Sequence, residues 1–150
     1  MKKTVLICIA VIVFSSLKSQ NNDKILIEAE SFAQKGGWVI DQQSMDVMGS
    51  PYLMAHGMGV PVPDASTSVN FPVPGKYHVF VRTRNWVARW NTTDAPGKFQ
   101  LSVDGKMLEP IFGTKSEDWD WQDGGIVEVK NKNCKLLHFN RRAGQLGSCL

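Results

Sequence analysis

Cysteine is scarce in this chain, an excess of one charge is missing from most of it, and no sustained helical period runs through it. Three cysteines occur in 150 residues. None pair as C-x-x-C, which excludes zinc ribbons and thioredoxin-type redox motifs. The 17 basic residues outnumber 14 acidic ones, but Lys2, Lys3 and Lys18 lie in the first twenty residues, which hold no acid. Without those three, 14 basic residues face 14 acidic ones. A neutral domain offers no electrostatic footprint to nucleic acid or anionic lipid. G-x-S-x-G, H-E-x-x-H and G-x-x-x-x-G-K are all missing, so the common hydrolase and phosphate-loop signatures are absent. What remains is a composition of 43% hydrophobic and 21% charged residues, ordinary for a single globular domain.

The first segment reads as an address. Lys2 and Lys3 precede an apolar run from Val5 to Phe14, followed by Ser15, Ser16 and Ser19. This is the three-part layout of a secretory signal peptide, residues 1–19, with cleavage expected after Ser19. The apolar run falls short of the roughly 20 residues that span a bilayer, against the alternative of a retained anchor. Cys8 follows Ile7 rather than a small residue, so no lipid anchor is expected there. The chain is therefore expected to be secreted or periplasmic. Export leaves Cys134 and Cys149, which an oxidising compartment would allow to pair. A buried Cys134 beside an unpaired Cys149 is the alternative.

The rest of the chain alternates in short apolar runs divided by Gly and Pro. Strands are expected over 24–30 (KILIEAE), 38–40, 67–71, 76–84 (KYHVFVRTR), 98–103, 126–130 and 134–139. In the clearest of them Tyr77, Val79 and Val81 face one way, and His78, Phe80, Arg82 and Arg84 the other. Asp104-Gly105 is a strong hairpin turn signal. Gly and Pro are dense over 41–66, which forbids a long helix there. An all-β sandwich over residues 24–139 is expected. Residues 140–150 lack alternation and read as a disordered tail.

The acidic run 117–124 offers sharper possibilities. Paired carboxylates at Asp118 and Asp120 would suit glycosidic acid–base work, but side chains two apart on a strand share a face and cannot flank a sugar. Asp118, Asp120 and Asp123 resemble part of a calcium loop, yet the spacing fails. A solvated loop is the preferred reading.

Five tryptophans are conspicuous in so short a chain. Trp86 and Trp90 follow the strongest strand, and Trp119 and Trp121 lie in the acidic run. Indole rings in loops suit stacking on sugar rings; capping the ends of a core is the competing role. Arg82, Arg84 and Arg89 add planar donors for carboxylates or hydroxyls. His56, in a Gly-rich loop, is a further candidate ligand contact. The ligand-binding set is therefore Trp86, Trp90, Trp119, Trp121, Arg84 and His56. The partner is a polysaccharide or oligosaccharide, and no catalytic residue is assigned.

Residues 27–32 (IEAESF) resemble the opening strand of secreted β-sandwich carbohydrate-binding modules. That resemblance implies a structural calcium at Glu28 and Glu30 and no other cofactor. A longer set, GGWV at 36–39, QQSMD at 42–46, MGSPYLMAHG at 48–57, VRTRNWVA at 81–88 with Trp90, PGKF at 96–99 and WQDGG at 121–125, is more specific. Together these resemble the non-catalytic, galactose-binding-like or xanthan-lyase-type sandwich domain of secreted bacterial FAD-dependent oxidoreductases of Bacteroidetes type. The resemblance implies a jelly roll and a carbohydrate-binding role. The flavin domain of that family has no counterpart here, so the resemblance implies an accessory module rather than an oxidoreductase. An inactive oxidoreductase fragment and, more remotely, a small glycan hydrolase are the alternatives. The family sandwich also continues to a closing strand, where this chain has FNRRAGQLGSCL; a truncated module, short of that strand, is expected.

Overall fold

The computed structural model describes residues 24–55, 61–90 and 98–140. The signal peptide, the pairing of Cys149, and the tail beyond Asn140 fall outside them. No helix among the described residues is long and apolar enough to cross a membrane.

The fold is all-β. Strands β1 (Trp38–Asp41) and β2 (Tyr52–Ala55) form an antiparallel pair. Between them lies one helical turn, α1 (Met45–Met48), which the sequence reading did not expect. It is built locally. Asp41 Oδ1 accepts the Gln43 amide at 2.8 Å, and left-handed Gly49 ends the turn with its N–H on the Met45 carbonyl at 2.8 Å. A four-stranded sheet runs in the order β3 (Ala65–Asn70), β8 (Asn133–Asn140), β5 (Gln100–Val103), β6 (Lys106–Met107). Asp104 and Gly105, both at positive φ, make the expected β5–β6 turn. The third sheet pairs β4 (Gly75–Thr83) with β7 (Asp120–Val129) over nine positions.

Three expectations need correction. Residues 25–28 join no ladder among the described residues, and Ala29–Ser31 is a 3-10 turn. The period-two pattern still shows in burial: Ile25, Ile27 and Ala29 pack on the core while Leu26 is 76% exposed. Alternation reports which side faces apolar matter, and an extended segment can satisfy it without a pairing partner. The acidic run is not a loop throughout, because β7 begins at Asp120. Gly124-Gly125 lies inside that strand, ahead of the 126–130 expected for it, and bulges it: Val79 opposes Gly125 and Phe80 opposes Asp123, leaving Gly124 extra. Gly125 supplies the positive φ at this bulge, and a Cβ on Gly124 would meet Phe112 and Val79 at 3.1 Å. Finally, Asn140 ends β8 instead of starting the tail.

All three sheets feed one core. Trp38 of β1, Leu53 of β2, Ala65 of β3, Leu101 of β5 and Val127 of β7 belong to it. Phe99 is its hinge, edge-on to Trp38 at 6.0 Å and stacked on Phe112 at 5.5 Å. Each such side chain contributes about 1.5–3 kcal/mol by leaving water. Cys134 is buried and donates to the Asn131 carbonyl at 2.9 Å. Burial pushes its thiol pKa up.

Candidate functional site

The aromatic residues gather around the ends of β4 and β7. Beyond Thr83 the chain leaves β4 through Arg84 and Asn85 into a 3-10 turn, Ala88–Trp90. The Asn85 amide donates to the Ser116 carbonyl at 2.6 Å, and Arg84 Nε donates to the Glu117 carbonyl at 2.6 Å. These two bonds fix residues 116–117 beside the exit of β4. Glu117 then faces Arg89, with 3.5 Å between carboxylate and Nε. The Arg89 guanidinium lies 5.2 Å from the Trp90 ring centre. Trp86 meets Trp90 edge to face at 5.6 Å. Trp90 remains 59% exposed.

Two residues past Glu117, Trp119 packs on Tyr52 of β2 with ring centres 4.8 Å apart. The Tyr52 hydroxyl donates to Asp41. Burial, then that carboxylate, holds the phenol pKa above its ordinary value. Trp121 is again 59% exposed and stands opposite Arg82 on the outer face of the β4–β7 pair. Arg82 reaches back to α1, donating to the Val47 and Met48 carbonyls at 3.2 and 3.3 Å. Further along this face His78 Nε2 lies 2.7 Å from Asp123 Oδ1, and its ring lies 4.4 Å from that of Phe80. The Gly125 amide and then His78 hold the Asp123 carboxyl below its ordinary range.

The predicted residues thus form two centres rather than one. Trp86 and Trp90 belong to the first. Trp119 and Trp121 line a cavity of about 1180 Å³ that Tyr52 and Arg82 also line. Arg84 ties the centres together through Glu117. Trp121 lies on a strand, not in a loop. His56 lies outside the described residues. Asp118 and Asp120 are both exposed.

Sequence reasoning missed Tyr52 and Gln122. Gln122 Oε1 accepts the Thr83 hydroxyl and the Gly113 amide, each at 2.6 Å, inside the molecule. A glutamine between two exposed carboxylates in a polar run gives no signal of burial; only its alternation with Trp121 and Asp123 could have shown it.

Glu28 is exposed and Glu30 half-buried, on either side of Ala29. No group of three or more His, Cys, Asp or Glu that could hold a metal forms among the described residues. Two carboxylates supply at most four oxygens where calcium takes six to eight. On these side chains alone the calcium shell is not met.

Comparison with family models, with curated proteins and with solved structures finds no match for this chain.

Proposed function

We propose that this chain is a secreted, non-catalytic module that binds a polysaccharide or oligosaccharide. In this reading the three sheets and their shared core make a β-sandwich of jelly-roll type. The observation that carries the reading is the pair of indoles, Trp90 and Trp121, left 59% exposed beside arginines at a fixed aromatic end of the fold. Exposed indole faces stack on the C–H faces of sugar rings, and the neighbouring guanidinium groups hydrogen-bond ring substituents. Trp86 packs edge to face on Trp90, and Trp119, beside Trp121 in the same cavity lining, packs on Tyr52. Export by the N-terminal segment would deliver the module to the compartment where polysaccharides are met.

The test is a tryptophan-fluorescence titration with neutral and acidic polysaccharides. A saturable change in the micromolar to millimolar range is expected. Trp90→Ala and Trp121→Ala should each weaken it about fivefold, since one stacked ring contributes on the order of 1 kcal/mol. Variants that keep the fold and bind as well as the parent would overturn the assignment, as would the lack of any saturable change in the parent.

A further inference from the structure

The β4–β7 ladder places a second group of side chains one step along the outer face from Trp121. Trp121 opposes Arg82, Asp123 opposes Phe80 and Ile126 opposes His78. His78, Phe80, Trp121, Asp123 and Ile126 are all exposed. Phe80 is the diagonal neighbour of Trp121, with backbone positions about 7–8 Å apart in such a ladder. One sugar ring cannot stack on both. Beside Phe80, Asp123 Oδ1 accepts from the Gly125 amide and from His78 Nε2, each at 2.7 Å. The bulge at Gly124 carries the Gly125 amide to that oxygen, and bulges re-aim side chains in this way. A carboxylate only accepts, so Nε2 holds the proton in this bond and Nδ1 of the neutral ring keeps a lone pair. Asp123 Oδ2 and His78 Nδ1 have no hydrogen-bond partner among the described residues.

His78 and Phe80 line one cavity with Trp119, Trp121 and Tyr52, so this group is continuous with the site described above. Resting on the saccharide reading of that site, we propose that Phe80, His78 and Asp123 form a second sugar subsite, so that the module takes a stretch of glycan chain laid along the β4–β7 face and not a single terminal sugar. Phe80 receives the C–H face of the second ring as Trp121 receives that of the first. Hydroxyls of the second ring donate to Asp123 Oδ2 and His78 Nδ1, two acceptors fixed by their mutual bond before any ligand arrives. The mixture of groups selects this occupant. A dry protein interface over Phe80 and Ile126 would also bury a carboxylate and an imidazole nitrogen with nothing to donate to them, which is costly. A sugar brings an apolar ring face and hydroxyl donors together.

The experiment titrates the isotope-labelled secreted chain, followed by NMR, with arabinoxylan, galactomannan and polygalacturonate, and with the single sugars and tetrasaccharides cut from each. For the glycan that binds, the Trp121 indole signal should move with single sugar and tetrasaccharide alike, and the His78, Phe80 and Asp123 signals with the tetrasaccharide alone. The tetrasaccharide should bind at least about fivefold more tightly than the single sugar. Phe80→Ala and Phe80→Leu should remove that gain and leave single-sugar affinity within about twofold, whereas Phe80→Tyr, which keeps the ring, should retain it. Asp123→Asn and His78→Ala should weaken the tetrasaccharide selectively. Affinity independent of chain length, with Trp121→Ala abolishing it and Phe80→Ala without effect, would overturn the second subsite and leave the saccharide reading standing. A length gain that survives both Phe80→Ala and Phe80→Leu would place the second ring elsewhere and overturn it too. Absence of binding to every glycan of the panel would defeat both readings together.

Discussion

Gln122 of β7 and Thr83 of β4 meet side chain to side chain inside the molecule, the hydroxyl donating to the carboxamide oxygen at 2.6 Å. The same oxygen takes the Gly113 amide at 2.6 Å. One atom thereby joins both strands of the outer pair to the loop that carries Glu117 and Trp119. Trp121 directly precedes Gln122 on β7, and Trp90 is joined through Arg89 to Glu117 of that loop.

Replacing Gln122 by Leu should cost about 2–4 kcal/mol, because two buried donors lose their acceptor together. Thr83→Val, which removes only one donor, should cost about 1 kcal/mol. Urea unfolding of the two variants and the double variant measures this. The double variant should be less destabilised than the sum of the singles, since the residues share one bond.

Most of the strand order of events was legible because alternation and turns are local. The Asp104-Gly105 hairpin and the 76–84 strand needed nothing beyond neighbouring residues. Residues 25–28 misled because their alternation arises from one apolar side, whereas a strand also needs a backbone partner, which no local pattern records. The start of β7 was hidden by Gly124-Gly125, which ordinarily mark a boundary and here mark a bulge whose register only β4 defines. The aromatic candidates were visible by type. Their division into two centres was not, because it rests on Tyr52 and Glu117 arriving from distant parts of the chain.

Gly36→Ala should be severely destabilising. At φ +57 an added Cβ would sit 2.2 Å from the Asp64 carbonyl oxygen and 2.4 Å from that of Pro63. Both contacts are with backbone, so no side chain can yield. The Gly37 amide bond to the Pro63 carbonyl at 3.0 Å would have to open. A loss of about 2–4 kcal/mol is expected from strain and the broken contact together, read as a lower melting temperature. A variant that melts with the parent would refute the close approach.

Asp123 sets a sign for acid stability. Its carboxyl is held low by the Gly125 amide first and by His78 second. A folded value below the unfolded one contributes stability that is present above the unfolded value and lost as pH falls through the folded one. The stability gap between parent and Asp123→Ala should therefore be widest at neutral pH and close as the solution is acidified below the ordinary carboxylate range. Denaturant midpoints measured across that range decide it, and a gap that widens in acid would reverse the assignment.

Tyr52 works in the opposite direction at the alkaline end. Burial and the Asp41 carboxylate keep its phenol protonated above the ordinary value. A raised folded value gives stability that is complete below the unfolded value and disappears as pH rises through the folded one. The advantage of the parent over Tyr52→Phe should thus shrink in alkali. Because Trp119 leans on the Tyr52 ring at 4.8 Å, phenylalanine keeps the platform and removes only the hydroxyl. Saccharide affinity near neutral pH should then stay within about twofold, whereas Tyr52→Ala removes the ring contact, worth about 1 kcal/mol, and should weaken binding about fivefold. Equal losses for the two variants would locate the contribution in the hydroxyl and its bond to Asp41, not in the stacked ring.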